Sequence, residues 1–321
     1  MKKQLIAAAV AATMTSVAMA DISISGDAKF EYFNKDDAGT KTNYTNTEIN
    51  LGVKGKSGDT TVVANLEFDT HGDASTAIDV EDLYMTTKVG DVSIKAGNYT
   101  TSTSAILGEI DEGGRATDKV TLSTKVGGVK VYAGNSGSAG ATGVINNNMF
   151  AGVVADVAGM KVQFKKNSET VNSMGIAGAM SGIDFRLEQK NSDNANEDVT
   201  FGNVTTSINS IDLGYAWIDA DAAGLVSETD SAIFAVEMGG NATGTGQNQI
   251  TAKTSLAGNA VTLKSGTIDD GIQAGTDLDY VQISASRALA SGAKATVTYT
   301  DKDATSTTDT ETLEIDLSVK F

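Results

Sequence analysis

The chain has 321 residues, with 41 Asp and Glu against 24 Lys and Arg, a formal net charge of −17, and neither cysteine nor proline. The missing thiols exclude disulfides and any sulfur-ligated zinc site, and the acidity argues against nucleic acid as a partner, because a polyanion is bound through lysine and arginine. Proline makes up about 5% of an average chain and removes a ladder hydrogen bond, so its absence suits a chain made almost wholly of sheet.

Residues 1–20 carry Lys2 and Lys3, an apolar run over 5–12, and then Ala18-Met19-Ala20. A positive start, a short apolar stretch and a small-x-small site in that order predict a secretory signal peptide, cleaved before Asp21, with one domain over 21–321. No later stretch is apolar enough to cross a bilayer as a helix. The exported chain is therefore expected in the periplasm, outside the cell, or in the outer membrane as a barrel, since only helices and closed barrels satisfy every backbone polar group in lipid.

From residue 21 onward the dominant signal is alternation with period two. Ile22, Ile24, Gly26, Ala28, Phe30 and Tyr32 alternate with Ser23, Ser25, Asp27, Lys29 and Glu31. Val120, Leu122 and Val126 oppose Lys119, Thr121, Ser123 and Lys125. At the other end Leu313, Ile315, Leu317, Val319 and Phe321 oppose Glu314, Asp316, Ser318 and Lys320. In strands this places one face in an apolar medium and the other in water, and no helical pattern is present to cover the apolar face.

Tight turns punctuate the pattern at 57–59, 90–91, 127–128, 158–159, 181–182, 258–259 and 291–292, each with glycine, which supplies the positive φ that hairpins need. Longer polar stretches lie between them, over 34–46, 100–117, 135–147, 191–206, 239–247, 269–277 and 302–309. Short turns alternating with long loops are the asymmetry of an outer-membrane barrel. Seven short turns predict an all-β antiparallel barrel of sixteen strands. The interval from Gly182 to Gly258 is about twice the others and holds two more alternating segments, 208–218 and 231–238, so an eighth turn would make eighteen. Either number encloses an aqueous channel.

Signals for chemistry are weak. The single histidine, His71, stands in a polar stretch without a nucleophile motif. Asp219, Asp221, Gly224 and Asp230 match part of an EF-hand spacing, but Ala223 breaks it and no helices flank it. The acidic run Asp193, Asn194, Asn196, Glu197 and Asp198 is open to two readings, a surface calcium site and a hydrated loop. No cofactor is implied.

The segment 82–99, DLYMTTKVGDVSIKAGNY, and the alternating final strand ending in Phe321 resemble the general Gram-negative outer-membrane porin family. The resemblance covers the whole chain in organisation. It implies that the stretch after Tyr99 is a third loop folded into the barrel, with Glu109, Asp111, Glu112 and Arg115 at the pore constriction. It implies facing basic residues on the wall, for which inward parity nominates Lys29, Lys54, Lys95 and Lys119. It also implies a homotrimer, and a role for Phe321 as the signal read by the barrel-insertion machinery. Many relatives carry arginine after the glycine that ends the fifth strand. Here Asn98 follows Gly97, which thins the basic row and favours cations.

The expectation is thus a water-filled channel in the outer membrane of a Gram-negative bacterium, passing small hydrophilic solutes and ions by passive diffusion with a preference for cations. The rivals are a substrate-selective porin, against which the scarcity of inward aromatic residues counts, and a secreted or surface β-rich structural protein, which would show a short fixed repeat. A barrel enzyme using His71 is the remaining alternative.

Overall fold

The computed structural model describes residues 21–37, 39–69, 77–101, 106–107, 113–139, 145–167, 171–193, 198–221, 233–235, 246–269, 277–304 and 309–321. They form eighteen strands and, among the described residues, no helix. The strands are β1 (Asp21–Asp37), β2 (Thr40–Ser57), β3 (Thr60–Asp69), β4 (Ala77–Val89), β5 (Val92–Thr101) and β6 (Gly113–Val126). Next come β7 (Val129–Ala139), β8 (Ile145–Val157), β9 (Met160–Asn167), β10 (Val171–Met180), β11 (Ile183–Ser192) and β12 (Val199–Ile208). The last third comprises β13 (Ile211–Ala220), β14 (Gly246–Leu256), β15 (Asn259–Asp269), β16 (Leu278–Ala288), β17 (Ala293–Ala304) and β18 (Thr310–Lys320). Each strand pairs antiparallel with its chain neighbours, and β1 pairs with β18, so the sheet closes on itself without an edge.

The period-two pattern decides which face is which. Leu313, Ile315, Leu317 and Val319 of β18 stay exposed on the outside, as do Val281 and Ile283 of β16 and Leu83 and Met85 of β4. An apolar belt of this kind around a closed barrel is stable only against lipid. The alternate positions are polar and point into the lumen.

The strand number is eighteen, the larger of the two expected, and the additional turn is Asn209-Ser210, between β12 and β13. Both residues take positive φ, 50° and 66°, as a type I′ hairpin demands. Asparagine tolerates that region through local hydrogen bonding, so the turn closes without the glycine that marks the other turns. The predicted loop over 191–206 consequently contains most of β12. Of the segment 231–238 only 233–235 is described, and it is not a strand.

The seam between first and last strands is held at the short-turn end by a reciprocal pair, Gly26 N to Phe321 O and Phe321 N to Gly26 O, both 2.9 Å. The Phe321 ring lies over Gly26, where a β-carbon would stand 2.8 Å from its Cζ.

Candidate functional site in the barrel lumen

The lumen wall divides into three sectors. The first spans β18 and β1 to β4 and is acidic. Asp27, Glu31, Glu48, Glu67, Asp69, Asp82, Glu314 and Asp316 share its inward parity by strand register. One oxygen from each of Glu31, Glu314 and Asp316 lies within 4.8 Å of the others. Lys29 forms an ion pair with Glu31, and Asn46 Nδ2 donates to the same carboxylate at 3.1 Å.

The second sector spans β4 to β9 and alternates lysine with aromatic rings. Lys95 Nζ sits 3.8 Å from the Tyr84 ring centre and 4.0 Å from that of Tyr99. Lys119 lies 5.4 Å from the rings of Tyr99 and Phe150, and Lys165 lies 5.5 Å from Phe150. Ring faces attract the ammonium groups, and Tyr99 and Phe150 each face two lysines. Several rings lie over a glycine on the neighbouring strand. Tyr132 covers Gly152 and Phe150 covers Gly134, with Tyr280 over Gly266 further round the wall. These rings lie against the wall and leave the lumen clear.

The third sector, β10 to β17, is covered at the long-loop end by chain that folds inward. Ile106 and Leu107, from the connection between β5 and β6, are fully buried and reach Gly175 on β10. A β-carbon there would stand 2.8 Å from Ile106 Cγ2 and 2.9 Å from Leu107 Cδ2. The stretch 233–235, between β13 and β14, also lies inside. Phe234 packs edge-on against Phe201 at 6.4 Å, and Gln249 clamps the backbone on either side. Ala235 N donates to Gln249 Oε1 at 2.7 Å, and Gln249 Nε2 donates to Ile233 O at 2.6 Å. Gln249 is fully buried and also receives a hydrogen bond from Tyr280 Oη at 3.2 Å. Leu107, Phe201, Phe234, Ile268 and Leu278 belong to one buried apolar cluster. Beneath it, towards the short turns, is a polar cavity of about 570 Å³ with Ile233 in its lining and Asp184, Asp212, Lys253 and Lys264 around it.

No family model matches the chain, and no curated protein is similar to it in sequence. Solved structures share its architecture from end to end. Pseudomonas aeruginosa OpdQ superposes with a TM-score of 0.67 at 11% identity over 94% of this chain and 99% of that one. P. aeruginosa OpdL gives the same values. P. aeruginosa OccK2 (OpdF), solved in complex with glucuronate, gives 0.65 at 13% identity over 94% and 98%. The fold is that of the outer-membrane porins.

Within this porin barrel the expected wall lysines do not form a single row. Lys95 and Lys119 stand together in the lysine and aromatic sector. Lys29 lies in the acidic sector, paired with Glu31 and opposite Glu48 in register. Lys54 faces inward three residues from the end of β2, at the short-turn mouth. Glu109, Asp111, Glu112 and His71 lie outside the described residues. Arg115 falls in β6, and its side chain is not described. The turn of the chain into the lumen after β5 is prepared locally. Register slips between Gly97 and Tyr99 and again between Tyr99 and Thr101, and Gly97 takes a φ of 134° that a side chain would not tolerate. In the EF-hand-like stretch, Asp219 ends on β13 and Asp221 follows it, while Gly224 and Asp230 lie outside the described residues. Asp198 accepts a hydrogen bond from Ser192 N at 2.9 Å.

Two features were not visible in the sequence. The scarcity of inward aromatics does not hold: Tyr84, Tyr99, Tyr132, Phe150, Phe201 and Tyr280 all lie on the lumen face. Their inward side follows from the register of each strand with its neighbours, which the local pattern around each ring does not fix. The Gln249 clamp had no sequence signal, because a glutamine at an inward position reads as an ordinary lumen residue.

Proposed function

We propose that the chain is an outer-membrane channel through which small hydrophilic solutes and ions diffuse passively, with an electrostatic preference for cations. The observation that carries this is a closed barrel with an apolar belt outside, a charged wall inside, and chain folded into its lumen from the long-loop end. Acidic and basic sectors on different arcs of the wall create a transverse field in which permeating ions are sorted by sign. The acids of β18 and β1 to β4, with the net charge of −17, favour cations. Glu109, Asp111, Glu112 and Arg115 are assigned to the constriction on the strength of the porin resemblance, with Lys29, Lys54, Lys95 and Lys119 on the wall. On the same ground Phe321 acts as the assembly signal and the homotrimer is the working unit, while residues 1–20 act as the export signal on their own charge and apolar pattern. No enzymatic role is assigned. Planar-bilayer recording under a salt gradient tests the channel: stepwise ohmic currents with a cation-signed reversal potential are expected, and silence from a folded, heat-modifiable barrel overturns it.

A second reading, a substrate-selective porin, is favoured by the lysine and aromatic sector. Tyr84, Tyr99 and Phe150 with Lys95, Lys119 and Lys165 offer a path for small organic anions, and glucuronate is the ligand named for the OccK2 structure. Liposome swelling separates the two. Faster entry of neutral glucose than of the glucuronate anion supports the cation-preferring general channel, and preferential entry of glucuronate supports the selective one.

A further inference from the structure

The outer surface of the barrel is not uniform. Between β6 and β9 it sinks into two adjoining hollows of about 580 and 490 Å³ that share Leu122, Ala133, Ala151 and Lys166. One extends towards Val92 and Val131 at the short-turn end, the other towards Asn135 and Met149 at the long-loop end. The cause is side-chain size. Leu122, Ala133, Ala151 and Lys166 stand opposite one another in successive registers, so two alanines form the floor where other parts of the belt carry leucine, valine or isoleucine. Phe164 forms one bank. The result is one apolar groove running along the strands.

Charge distinguishes its upper end. Elsewhere on the outward face near the long loops the charged residues among those described are acidic, at Asp219, Asp279, Asp301, Asp303 and Glu311, and Lys41 is paired with Asp36 at 3.6 Å. Lys166 faces lipid from the last turn of β9, opposite Ala151 and Asn172, and among the described residues it has no carboxylate partner.

We propose that this groove is a lipid site, in which one acyl chain of a phosphate-bearing lipid lies over Ala133 and Ala151 while its phosphate pairs with Lys166. Lipid tails are as apolar as leucine, so the chain gains only close packing from the groove. Selection comes from the charge-assisted bond to the phosphate, on a rim whose acids repel anionic headgroups elsewhere.

Native mass spectrometry of the detergent-purified barrel tests this with three probes: dioleoylphosphatidylglycerol, dioleoylphosphatidylcholine and glycerol 3-phosphate. A one-to-one adduct is expected with phosphatidylglycerol, several-fold more than with phosphatidylcholine and none with glycerol 3-phosphate. Lys166→Glu and, separately, Ala133→Phe should each reduce it several-fold, while Lys166→Arg keeps it. Heat-modifiability on gels confirms that each variant is folded. Unchanged adducts in both reducing variants overturn the proposal. So does binding of glycerol 3-phosphate as strong as that of the lipid, which would mean a bare phosphate site. Loss of an oligomer in Ala133→Phe without loss of lipid also overturns it, making the groove an interface between copies.

Discussion

The ammonium group of Lys95 lies 3.8 Å from the centre of the Tyr84 ring. Tyr99 covers it from a second side at 4.0 Å, and the two rings meet edge to face at 5.6 Å. A cation held this way is fixed in position, so its field acts at one place in the lumen. Lys95→Glu should move the reversal potential under a salt gradient towards cations without changing the fold. Tyr84→Leu keeps the charge and removes one ring, which should cost about 1 kcal/mol of stability in urea titrations in lipid vesicles and leave the sign of selectivity unchanged. If Tyr84→Leu shifts selectivity as far as Lys95→Glu does, the field depends on the ring that positions Lys95 and not on its charge alone.

Gly175 makes a second prediction. It leaves the space on β10 into which Ile106 and Leu107 fit. Gly175→Val would push them out of a fully buried position, because the new side chain meets both at less than van der Waals distance. The loop should then leave the wall, and the single-channel conductance should rise. Gly178→Val, at an outward position three residues on, serves as the control with unchanged conductance.

These residues also show how far the sequence carries. The apolar face of β18 and the charged face of β1 could be read directly, because the alternation there is unbroken. The pairing of Phe321 with Gly26 across the seam was not legible, because it joins residues at opposite ends of the chain. The turn at Asn209-Ser210 escaped because hairpin turns were sought by their glycines, and asparagine with serine meets the same φ requirement. The wall sectors escaped for another reason. Which charges share an arc depends on the strand count and on the bulges that shift β5 against β6, and neither is a local property. The inward seat of Phe234 depends on Phe201 and Gln249, which are remote in sequence.

The acidic outer rim at the long-loop end should respond to pH. Asp309, in the connection between β17 and β18, is held above the ordinary carboxylate range mainly by the neighbouring Asp303 carboxylate, with which it also shares a hydrogen bond. It therefore takes up its proton at a higher pH than an isolated aspartate. A raised acid favours the folded barrel when protonated, and this contribution is lost as pH rises through the folded value. On acidification this outer rim should lose negative charge earlier than ordinary carboxyls predict. Asp309→Asn should remove the earliest part of that response in proton-uptake titrations of the detergent-purified barrel. An unchanged profile would place the titration elsewhere.

Gln249 supplies the last prediction. Its amide matches the backbone of 233–235 as a neighbouring strand would, accepting from Ala235 N and donating to Ile233 O, while Tyr280 Oη and Thr251 Oγ1 hold the same amide in place at 3.2 and 3.0 Å. Each such bond contributes about 1 kcal/mol net. Gln249→Leu keeps the volume and removes both bonds to the loop, a loss of about 2 kcal/mol that raises the released population on the order of 30-fold. Phe234 still has Phe201 to pack against, so the segment should exchange between seated and released positions. Single-channel records should then show a second, larger conductance level that Gln249→Glu does not produce at low pH, where a protonated carboxyl can still donate to Ile233 O. A wild-type trace from Gln249→Leu would mean that the apolar contact of Phe234 seats the segment by itself.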